Sequence, residues 1–180
     1  MPILLFLCIA LAGCGREPQA ATKDVPTDES VSAIVIHAAQ ADVIEPPFVL
    51  VEDATAADGQ ALAAPPKAGD APGAAHVAFQ IPRDGVYSIW VRVFWGTDGE
   101  TACSNSLSVQ LDGDAPVDLQ DGTYESWHWL PLRRSAGIPL TAGAHALLFR
   151  NREDGIKFDQ IFITPWHEDE LARRVPQGIE

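Results

Sequence analysis

"GVYSIWVRVFW", residues 85 to 95, decides how the rest of the chain is read. Ile89, Val91 and Val93 alternate with Ser88, Trp90 and Arg92. Successive side chains therefore point to opposite faces, the period-two pattern of a β-strand with one apolar face. The stretch before it, Pro82-Arg83-Asp84-Gly85, is a turn with a mechanism, because proline presets one backbone torsion and glycine tolerates a positive one.

The same pattern extends outward in both directions. In "SLSVQLD" (106–112), Leu107, Val109 and Leu111 face one way while Ser106, Ser108, Gln110 and Asp112 face the other. Further apolar runs at 31–39, 48–53, 76–81, 127–132, 144–150 and 157–164 are separated by Gly, Pro, Asp and Asn. A spacing of roughly ten residues between such runs predicts an all-β sandwich or barrel. The Ala-, Gly- and Pro-rich segment from Gly59 to Gly73 predicts an irregular surface loop, and "WHEDELARRV" (166–175) a short terminal helix. Trp90 and Trp129, mid-strand, read as core aromatics.

At 180 residues with 47% apolar content the chain suits one domain with a real core. A formal charge of -13 and the lack of any basic stripe exclude nucleic acid as a partner, since that affinity comes from Lys and Arg displacing counterions. The same charge opposes attachment to anionic lipid through a polybasic surface.

The N-terminal "MPILLFLCIALAGCG" is apolar but too short to span a bilayer, and so reads as a cleaved leader, although no Lys or Arg precedes the apolar run. Leu11-Ala12-Gly13-Cys14 resembles the lipobox of bacterial lipoproteins, which implies lipidation of Cys14 and a membrane partner reached through that lipid. Gly15, where inner-membrane lipoproteins have Asp, implies an outer-membrane location in a bacterial cell envelope. The expected organisation is a signal peptide (1–13), a lipidated polar tether (14–30), a β-sandwich (31–165) and a C-terminal extension (166–180). Of three cysteines only Cys103 remains for the domain, leaving no intramolecular disulfide.

Several pieces, in order along the chain, resemble the galactose-binding-like jelly roll, and more narrowly the carbohydrate-binding modules of families six and thirty-five. They are Gly85, Tyr87, Trp90, Arg92 and Val93; Asn105 and Ser106; Trp127 and Trp129; Gly143 and His145; and Gly155, Phe158 and Asp159. The resemblance implies a sandwich whose loops at one end hold a sugar without cleaving it. By the same resemblance Trp95 and Trp127 supply stacking platforms, Asn105 follows a site loop, and Lys157 stands where the family has Asn. Lys at that position points toward uronic or otherwise acidic sugars. As strand-end residues, Trp95 and Trp127 are equally readable as caps on the core.

The loop "NREDG" (151–155) adds Arg152 and Asp154, which flank a glycine hinge beside Lys157 and offer hydrogen bonds to hydroxyls and carboxylates. Glu153 reads as part of a solvated charge cluster. The family's first-strand Glu-x-Glu, which with a last-strand carboxylate binds a structural calcium ion, is replaced by His37 and Ala39, so no metal or other cofactor is expected. Asp159 shares strand parity with Ile161 and Ile163 and would need backbone hydrogen bonds or a cation such as Lys157. Five scattered histidines lack metal spacing, and no nucleophile elbow or zincin motif occurs, so no catalytic residue is expected. The functional expectation is non-catalytic binding of a polysaccharide or glycan. The alternative is a structural or protein-interaction jelly roll that has lost sugar binding.

Overall fold

A computed structural model describes residues 32–66, 73–97, 104–133 and 136–166. The leader, Cys14, the tether, Cys103 and the expected C-terminal helix, apart from Trp166, lie outside the described residues.

Two antiparallel sheets face each other in a jelly-roll β-sandwich, as the strand spacing requires. One contains β1 (Ile34–His37), β3 (Val49–Glu52), β4 (Gln60–Ala64), β6 (Gly85–Trp95), β9 (His128–Pro131), β10 (Ile138–Leu140) and β12 (Ile156–Pro165). Its main path runs β10-β6-β12-β4-β3, with β1 beside β12 and β9 beside β6. The other runs β2 (Val43–Glu45), β5 (Ala74–Ile81), β11 (Gly143–Asn151), β7 (Ser106–Leu111) and β8 (Val117–Gln120).

Alternation places the core. Ile89, Val91 and Val93 of β6 are buried and meet Leu107 and Val109 of β7 and Leu147 and Phe149 of β11 in one cluster between the sheets. Phe149 stacks on Phe158 of β12 at 4.5 Å, which bridges the two layers. Filling the interior with interdigitated apolar side chains removes their surface from water, the principal favourable term in such a fold.

Several expectations are corrected. The segment expected as a loop from Gly59 holds β4, whose Ala61, Leu62 and Ala64 are fully buried. Small side chains let it lie close beside β12, so its burial does not depend on bulky residues. Strands β2, β8 and β10 have three or four residues each, too short for a periodicity argument. Trp90 and Trp129 are only partly buried on the outer face of the seven-stranded sheet, sharing the parity of Arg92 rather than of the core.

Candidate functional site

The strand ends at one rim of the sandwich leave a cleft of about 450 Å³, within the range of small-ligand sites. Its walls come from four places: Ala63 to Pro66 at the end of β4, Phe94, Gly96 and Thr97 at the end of β6, Glu125 ahead of β9, and Gly155 to Lys157 at the start of β12.

Phe94 follows from strand alternation, since Val93 and Trp95 point inward and the residue between them must point out. Lys157 is its register partner on β12 and places its ammonium 4.8 Å from the Phe94 ring centroid. The same ammonium lies 2.8 Å from Asp53 Oδ2. Burial alone would raise the Asp53 carboxyl, but hydrogen bonds from Lys157 and from the Thr55 hydroxyl and amide outweigh it and bring it down to about 2.

Backbone stitching closes the floor. Gly96 donates its amide to Gly155 O at 3.2 Å, and a Cβ on Gly96 would stand 2.9 Å from that oxygen. Only glycine permits this approach. Gly155, at φ +73°, donates in turn to Ala64 O at 2.6 Å. At the cleft mouth Glu125 adopts φ 55°, a left-handed conformation uncommon outside glycine and asparagine. Its amide donates to Trp95 O, and its Oε1 accepts both the amide and the hydroxyl of Thr97 at 2.7 Å each.

The loop from Asp53 to Asp58 folds over the outer face beside this cleft. Thr55 Oγ1 accepts the Trp127 indole N–H at 2.9 Å, and the Ala57 amide donates to Asp159 Oδ2 at 2.7 Å. Asp159 sits in a β-bulge between Phe158 and Gln160, which turns it out of the core parity expected for it. Its cation is Arg92, at 2.7 Å, and not Lys157. Burial raises the Asp159 carboxyl, only partly offset by the Ala57 amide and Arg92.

The calcium arrangement of the resembled modules does not fit these residues. His37 lies 3.1 Å from Asp58, Ala39 offers no side-chain oxygen, and the surviving carboxylate of Asp159 is engaged by a guanidinium. An ion that takes six to eight oxygens finds no such set, and among the described residues no group of three or more His, Cys, Asp or Glu could hold a metal.

The residues singled out from sequence scatter. Lys157 lines the cleft. Trp127 stands beside it, its ring 5.5 Å from Phe94 and capped by Arg92 at 5.0 Å. Trp95 is fully buried, so it cannot serve as an exposed platform; its parity matches Ile89, Val91 and Val93. Its indole donates to Asp121 Oδ1 at 2.8 Å, where His128 Nε2 also approaches at 3.1 Å. Burial would raise Asp121, yet the Thr123 amide, the Trp95 indole and His128 together hold it below the usual carboxylate range. Asn105 is committed to structure, donating its side-chain amide to Asp121 O and its backbone amide to Glu153 Oε2 at 2.6 Å. Glu153 is therefore a tie between loops and not merely a solvated charge. Arg152 reaches Asp118 at 3.4 Å in an exposed pair on the other sheet, away from the cleft. Asp154 is half-buried within its loop. Phe94, Thr97 and Glu125 were missed. Parity alone could have found Phe94, whereas nothing local marks the other two.

No protein-family model and no curated protein sequence matches the chain. Solved structures do. A family 35 carbohydrate-binding module from Clostridium thermocellum superposes with a TM-score of 0.56 at 15% identity, covering 73% of this chain and 98% of that one. The C-terminal family 6 module of a marine laminarinase from Zobellia galactanivorans gives 0.55 at 16% identity, covering 74% and 99%. A Podospora anserina β-(1,4)-mannanase carrying a family 35 module gives 0.59 at 13% identity; 75% of this chain matches, but only 28% of that enzyme. At these identities the likeness is one of architecture, and this chain shares its jelly-roll sandwich with carbohydrate-binding modules of families 35 and 6.

Proposed function

We propose that the domain binds carbohydrate without cleaving it, through the rim cleft. One observation carries the reading: an outward aromatic ring, Phe94, forms an apolar wall beside Lys157, Thr97 and Glu125, which bring hydrogen-bonding groups to the same cleft. A sugar ring has apolar C–H faces and a polar edge, so it needs both kinds of wall at once. The architecture shared with binding modules supports the reading. The Cys14 lipobox supports an envelope location with anchoring through lipid, tested by fatty-acid labelling of the wild type and a Cys14→Ala variant; label retained by the variant would contradict it.

The test of binding is a glycan array probed with the purified protein beside Phe94→Ala. Binding to at least one glycan, lost in the variant, is expected; no binding, or binding indifferent to the change, contradicts the proposal. A second reading, docking of a protein partner, is favoured by Val49 and Leu50, which are 40% and 42% exposed on the edge strand β3. It predicts that the array stays blank while Leu50→Lys abolishes partner capture.

A further inference from the structure

We infer that the rim cleft selects uncharged, hydroxyl-rich sugars over uronates, with Glu125 as the specificity-determining residue. The inference rests on the carbohydrate-binding reading above and reverses the preference that Lys157 suggests when read alone.

Three charges decide it. Lys157 carries the cation, but Asp53 already partners it at 2.8 Å and is itself only 12% exposed at its side chain. Asp53 does not depend on Lys157 for its position: its Oδ1 accepts the Thr55 amide at 2.9 Å and the Thr55 hydroxyl at 2.6 Å. An incoming carboxylate would have to compete with a fixed anion for the Lys157 ammonium, the one ammonium in the cleft wall among the described residues.

Glu125 supplies the second obstacle. The Thr97 amide and hydroxyl both donate to its Oε1. A carboxylate is an acceptor only, with room for about four donors over its two oxygens, so Oε2 of this exposed side chain has room to accept from a ligand in place of water. A sugar hydroxyl has one to give. A uronate carboxylate has none, and it meets a like charge instead, which is discrimination by repulsion. Among the described residues, Lys157, its partner Asp53 and Glu125 sum to one negative charge at the cleft. The backbone conformation of Glu125, at φ 55°, fixes the direction of this side chain through Trp95 and Thr97 on either side of the bond network.

The experiment is calorimetric titration of the purified full chain with gluco-, galacto- and manno-oligosaccharides, each beside its C6-oxidised uronate form. For any neutral sugar that binds, the uronate form is expected to bind roughly tenfold more weakly, about 1.4 kcal/mol. Glu125→Gln keeps the shape and removes the charge, and is expected to narrow that ratio to about threefold or less, the ratio being read separately from any change in the neutral Kd. Glu125→Asn, which tolerates a left-handed backbone, checks the result should the Gln variant be unstable. Raising the salt concentration should narrow the wild-type ratio as well. A uronate that binds as tightly as the neutral sugar, or tighter, overturns this inference and leaves carbohydrate binding intact. An unchanged ratio in Glu125→Gln overturns the role given to Glu125. If neither form of any sugar binds, the underlying reading falls and this inference with it.

Discussion

Replacing Asp53 by Asn tests the ion pair that holds Lys157 at the cleft wall. In the folded protein the Asp53 carboxyl lies at about 2 against an ordinary value of 3.8. Because the folded value is depressed, ionised Asp53 stabilises the fold above the unfolded-state value, and that contribution is lost as pH falls from about 4 toward 2. The gap corresponds to about 2 kcal/mol, and screening at the cleft mouth reduces the expected loss to about 1–2 kcal/mol. Urea unfolding of wild type and Asp53→Asn at pH 7 should therefore differ by that amount with unchanged m-value, and the difference should nearly vanish at pH 2. In thermal melts the same loss corresponds to a drop of about 3–8 °C at pH 7. A variant as stable as wild type at pH 7, or one whose deficit is the same at both pH values, would refute the argument. The first outcome would show that Lys157 is not partnered in solution. The second would show that the effect is steric.

Arg92→Met removes the cation facing Asp159, whose side chain has no exposure, and should cost roughly 3 kcal/mol in denaturant unfolding at pH 8. Because burial already raises the Asp159 carboxyl, protonation relieves the orphaned charge, so the deficit should shrink toward pH 4; a deficit that grows on acidification would contradict this. His145 presents the opposite sign. Burial lowers its affinity for a proton, but the Asp112 carboxylate at 2.6 Å and the Thr141 carbonyl at 2.8 Å outweigh that and raise it. The stability it adds is full below its unfolded value near 6.5 and lost as pH rises through the higher folded value, and His145→Gln should abolish that alkaline decline in melting temperature.

Much of the fold was legible because alternation survives in β6 and β7, where one face must be apolar. Trp95 shows how such a reading goes astray. Its place at a strand end suggested an exposed platform, while its parity with Val93 already said core, and burial follows parity. Strand β4 was hidden because alanines bury without advertising hydrophobicity. Asp159 misled for another reason: a bulge shifts the parity by one, and no residue in "KFDQIF" announces it. The cleft itself could not be read locally. Asp53 meets Lys157 across 104 residues of chain and Thr97 meets Glu125 across 28, and such pairings exist only once the sandwich is closed. The charged loop 151–155 was noticed for its charges, yet its Glu153 and Gly155 act by tying neighbouring loops together.

The most direct test of the central claim is amide chemical-shift mapping of the labelled protein during titration with a glycan that the array identifies. The account predicts saturable shifts centred on Phe94, Gly96, Thr97, Glu125 and Lys157, with Trp90 and Trp129 on the open sheet face unmoved. Shifts centred on that face, or no shifts with any glycan, would contradict it.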